Sequence, residues 1–215
     1  MNVKLISKTV AIIDDIQLTG DEYIAYCARV SNPGNQMSNE TAPKLLKYLI
    51  ANQHWSPFEM SHITMEINTT RDIARQILRH RSFTFQEFSQ RYADVGDEFI
   101  TRPARLQDFK NRQNSLELDA SSDIHDFWRY AQEDVAAAAL DAYRDALAMG
   151  IAKEVARAVL PEGLTPSRLY MSGSTRSWYH YTQLRMGHGT QIEHMDIAKQ
   201  CFNILVGVHP CFQGE

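Results

Sequence analysis

Residues 79–92 read Arg-His-Arg-Ser-Phe-Thr-Phe-Gln-Glu-Phe-Ser-Gln-Arg-Tyr, gathering three arginines, a histidine and a carboxylate among hydroxyl and amide side chains. Each guanidinium offers five N–H donors in a fixed fork that matches phosphate or carboxylate oxygens two at a time. Such a density of donors serves either a charged face left to solvent or a preorganised pocket for anions. Arg71 and Arg75 extend the run upstream, so five positive charges between 71 and 91 meet only Asp72 and Glu87, a local balance of +3. The whole chain carries −4. That balance disfavours a general nucleic-acid binder and suits the steering of small anions to one patch.

Within the run, His80 lies between two arginines, so its charged form is disfavoured and a neutral hydrogen-bonding ring is expected. Ser89 has only Glu87 and Arg91 as ionisable neighbours and no evident base to make it a nucleophile; it reads better as a hydroxyl contacting phosphate. Glu87 is open between an ion pair with a nearby arginine and a contact to a ligand. Neither GxGxxG nor GxxxxGK[ST] occurs in the chain, so side chains would have to hold any bound nucleotide. His188, Glu193, His194 and Asp196 raise the question of metal, but their spacing is not HExxH and such residues near a helix start commonly cap it. No metal centre is expected. Cys27, Cys201 and Cys211 are odd in number and lack CxxC spacing, which argues against disulfides and thiolate zinc and for small buried apolar residues.

The elements that must position these groups follow from periodicity. The β-branched opening, 3–13, reads as one or two strands, and 61–69 alternates apolar and polar residues as a half-buried strand does. Helical spacing marks 21–30, 41–51 and 70–80; in the last, Ile73, Ala74, Ile77 and Leu78 form the buried side and Arg79 shares a face with Gln76. Residues 96–123 lose periodicity and read as a long surface excursion. A long helix over 125–149 carries an Ala-rich stripe, Phe127, Ala131, Val135, Ala138, Ala142 and Ala146, suited to close helix or subunit contact. A helix over 151–160 stops at Pro161, an extended segment at 168–173 leads into a helix from about Ser174, and a last helix covers 194–208. These elements predict an α+β fold in a single domain over 1–215, with a small central antiparallel sheet flanked by helices. No apolar run is long enough to span a membrane and no signal-peptide pattern opens the chain, so a cytoplasmic location is expected.

Arg79-His80-Arg81, then seven residues, then Ser89, resembles the signature of the flavin-dependent thymidylate synthases. Further segments resemble that family in the same order: Ala28-Arg29-Val30-Ser31, His54 to Glu59, Glu154 to Pro161, and Thr175-Arg176-Ser177 leading to Leu184-Arg185. The resemblance covers about residues 25–208. It implies reductive methylation of dUMP to dTMP, with 5,10-methylenetetrahydrofolate as carbon source, NADPH as reductant, FAD as hydride carrier and no cysteine nucleophile. It also implies a homotetramer with shared sites. Carried over by position, Ser56, Arg79, His80, Arg81, Glu87, Thr175, Arg176 and His180 would contact FAD, with His54 near flavin and folate. Gln76, Arg79, Glu87, Ser89, Gln90, Arg91, Arg157 and Arg185 would surround dUMP, with Arg185 stabilising negative charge on the uracil N3 and O2 side. Ser174 and His180 stand where several members carry asparagine, and Met60 where a histidine often follows. Along one helix, Arg176 and His180 share a face, whereas Arg185, nine residues on and about 900° of turn away, points oppositely. Two competing readings are a non-catalytic nucleotide or RNA-binding module on the Arg71 to Arg91 patch, and a metal hydrolase on His188, Glu193 and His194.

Overall fold

A computed structural model describes residues 1–214. The main sheet has four antiparallel strands in the order β1 (Asn2–Lys8), β4 (His62–Thr70), β8 (Pro166–Ser174) and β5 (Thr84–Glu87). Between the first two, a small hairpin of β2 (Ala11–Ile13) and β3 (Ile16–Leu18) precedes α1 (Gly20–Ala28) and α2 (Ala42–Ala51). Ile63, Met65 and Ile67 of β4 and Leu169 and Met171 of β8 are fully buried on one face. The other face is polar, tied by Thr64 Oγ1 donating to Ser172 Oγ at 2.9 Å and by an Asn68 to Glu66 bond at 3.0 Å. The alternation seen in residues 61–69 thus matches the pleat, one face in the core and one outside.

The inner face is covered by α1, α2, α3 (Arg71–Ile77), α6 (Thr175–Arg185) and α7 (Ile192–Val208), whose apolar sides join the strands in one core. Trp178 anchors α6 there, fully buried, its indole N–H donating to the Ile63 carbonyl at 2.9 Å. Thr19 caps α1 in a reciprocal box with Glu22, and Ser174 caps α6 by accepting from the Ser177 N–H.

Four expectations change. Residues 84–87 form β5, which pairs with β8 from Thr84 opposite Ser172 to Glu87 opposite Leu169; the alternation of Phe83 and Phe85 with Thr84 and Gln86 carries that strand, hidden beneath the charge pattern. The excursion over 96–123 holds a hairpin of β6 (Arg105–Gln107) and β7 (Ser115–Glu117). The helix expected over 151–160 shrinks to α5 (Lys153–Ala156) and one 3-10 turn, Arg157–Val159, a segment too short to sustain helix without packing. Finally, α4 (Ile124–Ala148) buries Gln132, Ala139 and Tyr143, while Phe127 and Val135 of the expected stripe are 71% and 53% exposed. The core of this chain meets a neighbouring side of the helix; Phe127, Val135, Ala138 and Ala142 of the stripe face outward, while Ala146 packs beside Tyr143.

Candidate active site

Two strands lead into helices without a loop. β4 ends at Thr70 and α3 starts at Arg71; β8 ends at Ser174 and α6 starts at Thr175. Because Thr70 pairs with Pro166 and His62 with Ser174, the two helices enter the same face from opposite ends of the sheet. Nine-residue strands are about 30 Å long. Seven residues of α3 and eleven of α6 add up to about 27 Å, so their C-terminal ends meet near mid-sheet. There Arg185 Nε donates to His80 Nε2 at 2.9 Å.

That bond fixes the chemistry of both groups. A guanidinium N–H can only donate, so His80 accepts at Nε2 and carries its proton on Nδ1. Burial, then Arg185, then Arg79, holds the His80 pKa down at about 4, so the ring is neutral as the sequence predicts, with Arg185 rather than Arg81 the main charged neighbour. The negative end of the α6 dipole supports Arg185 in its last turn.

The basic run separates into paired and unpaired groups. Arg71 lies 3.8 Å from Glu87, Arg91 lies 3.3 Å from Glu154, and Arg75 pairs with Glu162. Arg79 and Arg81, both exposed, meet no carboxylate among the described residues. The structure thus removes most of the expected +3 excess at 71, 75 and 91 and concentrates the free cations at 79, 81 and 185. A continuous phosphate-tracking stripe would need the opposite arrangement.

The members of Arg79-His80-Arg81 face different ways. Arg81 lines a cavity of about 260 Å³ with Glu59, His62, Ser174 and Ser177, while His80 turns to Arg185. Arg176 reaches the same rim, donating to Glu59 Oε1 at 2.8 Å. His180 packs edge-on against Trp55 with ring centres 4.7 Å apart, and Trp55 stacks on Tyr179 at 5.0 Å. Arg176 and His180 therefore both address segment 55–59 and Arg185 the opposite side, the division that helical arithmetic predicts. Ser56 and His54 sit exposed on this same segment, His54 edge-on to Tyr48 at 5.9 Å. Thr175 is fully buried and faces inward. Its hydroxyl lies 3.2 Å from the Ser61 carbonyl and 3.0 Å from His209 Nε2, so it braces the start of α6.

A second cavity, about 380 Å³, is lined by Arg71, Arg75, Gln90, Glu154, Arg157 and Glu162 among others. Gln90 is 3% exposed and its amide nitrogen has no partner. Buried donors are almost always satisfied, so an orphan lining an arginine-rich cavity fits an acceptor oxygen of a ligand. Ser89 Oγ accepts from the Arg91 backbone N–H at 3.3 Å, which leaves its own hydrogen free to donate. Glu87 accepts from Ser167 Oγ at 2.6 Å besides its pairing with Arg71, so the arginine-partner reading of that residue holds. Gln76 on α3 is linked to Gln191 and His194. A larger cavity, about 700 Å³, lies behind Phe88 between the ends of the sheet and residues 95–100. Its walls carry one arginine, Arg168, beside Asp97 and Glu98.

The metal-hydrolase reading loses its ligands. Glu193 is held 2.7 Å from Arg105, His194 is hydrogen-bonded to Tyr181, and His188 is exposed. Among the described residues no three His, Cys, Asp or Glu side chains are placed to hold a metal. Cys201 and Cys211 are buried, as expected, and Cys27 is partly exposed. Sequence reasoning passed over Glu59 as a site residue, although it lies in the Ser-Pro-Phe-Glu segment and neutralises Arg176.

A sheet-and-helix frame that presents unneutralised guanidiniums around a neutral imidazole, with an unsatisfied amide in a neighbouring arginine-lined cavity, is the frame of a protein that holds small anions by side chains. Residues 13–211 match the family model described as thymidylate synthase complementing protein. The chain is 50% identical over 210 residues to a probable flavin-dependent thymidylate synthase of Paramecium bursaria Chlorella virus 1, covering 98% of this chain and 96% of the relative. It is 50% identical over 200 residues to the flavin-dependent thymidylate synthase of Synechocystis, covering 92% and 91%. Its fold is similar to that of PolB from Streptomyces cacaoi, a UMP/dUMP methylase solved with 5-Br dUMP, at a TM-score of 0.82 and 27% identity, over 98% of this chain and 91% of that one. This chain belongs to the flavin-dependent thymidylate synthase family.

Proposed function

We propose that the protein is an FAD-dependent methyltransferase that converts dUMP to dTMP, taking its carbon from 5,10-methylenetetrahydrofolate and its electrons from NADPH. The observation that carries this reading is the Arg185 to His80 bond: a buried-side cation held by a neutral ring, with Arg79 free beside it, awaits a ligand with negative charge. Family membership supplies the reaction class, and bound FAD would supply the hydride chemistry that no protein side chain can.

The chain's own residues divide the binding. Arg81, Arg176, Ser56, His180 and His54 surround the side of segment 54–59 and suit the flavin, while Arg79 and His80 stand between the two sides. Gln90, Arg157, Ser89 and Arg91 suit the nucleotide phosphate and sugar, with Gln76 and Glu87 alongside. Arg185 stabilises negative charge developing at uracil N3 and O2, a role that needs a permanent cation and not a base. Predicted site residues line two cavities with no lining residue in common, which supports a site completed by a second copy within a homotetramer. The outward stripe of α4 supplies one apolar surface for such assembly, and the cytoplasm supplies all four small molecules.

The test is turnover. Purified protein given dUMP, 5,10-methylenetetrahydrofolate, FAD and NADPH should form dTMP, and omission of FAD from flavin-free protein should abolish it. Product formed equally well without flavin contradicts the reading.

A further inference from the structure

A chain of hydrogen bonds runs beneath the Arg185 and His80 contact. Tyr181 Oη lies 3.1 Å from His194 Nε2, His194 Nδ1 lies 3.3 Å from Gln76 Oε1, and Gln76 Nε2 donates to Gln191 Oε1 at 2.8 Å. Gln191 Nε2 donates to Glu193 Oε2 at 2.9 Å, and Arg105 holds the other Glu193 oxygen at 2.7 Å. Only one direction of donation satisfies every link. A carboxylate can only accept, so Gln191 must donate to it and accept from Gln76. The Gln76 oxygen must then accept from His194 Nδ1–H, which leaves His194 Nε2 to accept from the Tyr181 hydroxyl. His194 and Tyr181 are buried at 0% and 2% exposure, where an unmet link is costly.

We propose that this chain is a positioning device that fixes the polarity of the Gln76 carboxamide, leaving its second N–H to meet an acceptor oxygen of the pyrimidine nucleotide, with His194 and Glu193 as positioning residues. Gln76 lies in the last turn of α3, and its partner His194 stands edge-on to His80 with ring centres 6.3 Å apart, so that N–H lies beside the Arg185 and His80 pair; the inference rests on the proposed use of dUMP. Burial, then Arg185, His80 and Arg79, holds the His194 pKa at about 3, and burial keeps the Tyr181 phenol protonated, as the direction of the chain requires. Arg105 belongs to β6, so the excursion of residues 96–123 reaches the site through this relay.

Calorimetric titration of dUMP into FAD-loaded protein tests the proposal. His194→Asn keeps a donor near the Nδ1 position and should bind dUMP within about threefold of wild type; His194→Gln keeps only the Nε2 position and should bind about tenfold more weakly, the scale of one hydrogen bond. Glu193→Gln preserves shape but can also donate, scrambling the direction, and should weaken dUMP by about five- to tenfold with FAD affinity unchanged. Equal losses in both His194 variants that follow their melting temperatures, or an unchanged dUMP affinity in Glu193→Gln, overturn the positioning role while leaving the function intact. If a His194 variant does not fold, Glu193→Gln decides alone. Wild-type protein that binds no dUMP removes both the function and the proposal.

Discussion

Arg185 and His80 make a pair whose members constrain each other: the cation never gives up its proton, and the imidazole beside it resists taking one. Arg185→Ala is therefore expected to lower dTMP formation by about a hundredfold or more, the scale of a lost electrostatic contact to the transition state, while FAD affinity, measured by flavin fluorescence quenching, changes little. Turnover near the wild-type rate contradicts the assigned role. Stability should also depend on pH through His80 and His194. An unfolded histidine titrates near about 6.5, whereas these two are held at about 4 and about 3 in the fold. The unfolded chain therefore binds protons first, so stability is fully present above about 6.5 and declines as pH falls through the lower values. Urea unfolding from pH 7 to pH 4 should show that decline, with a shallower slope in His80→Gln; an unchanged slope would refute it. The neutrality of His80 was legible in sequence because its arginine neighbours are adjacent, but Arg185, 105 residues away, was not. Thr175 is a related case: motif position alone does not announce that its buried hydroxyl meets Ser61 and His209.

At the scale of elements, the loop-free passages from β4 to α3 and from β8 to α6 bring residues 80 and 185 together. Phe83, just before β5, packs against Gly173, where a Cβ would stand 2.4 Å from the ring. Gly173→Ala should displace Phe83 and with it Arg81, costing about 1–3 kcal/mol of stability and weakening FAD binding; a wild-type urea midpoint would show that the contact yields freely. Strand β4 and helices α1, α2, α4 and α7 were readable from period two or period 3.6 because half-buried elements leave that record. β5 was missed because the same few residues carry both alternation and a dense charge pattern, and four residues are too few for periodicity to stand out. The β6 and β7 hairpin lies in polar sequence whose order comes from ion pairs such as Arg105 with Glu193, which no local pattern announces.

Over the whole molecule, the apolar content is distributed between a main centre beneath the sheet, a small cluster of Val95, Tyr143, Ala156 and Leu160 under α4, and an outward stripe on α4. A stripe of Phe127, Val135, Ala138 and Ala142 left in water is a large exposed apolar surface for an unassociated chain. If the proposed assembly uses this stripe, Ala138→Glu with Ala142→Glu shifts the sedimentation coefficient toward that of a monomer and lowers dTMP formation with it; an assembly unaffected by both charges would place the contact elsewhere. No helix among the described residues is long and apolar enough to cross a membrane. The sequence pattern was accurate about the stripe's existence and silent about its direction, since a helix records that one side is apolar but not which body covers it. The central claim, that free guanidiniums and a neutral imidazole serve a flavin and a pyrimidine nucleotide, is tested most directly by the visible spectrum of the purified protein. After addition of FAD under anaerobic conditions and removal of the excess, the protein should remain yellow, lose that colour on NADPH, and lose it at a different rate when dUMP is present; a protein that retains no flavin contradicts the account.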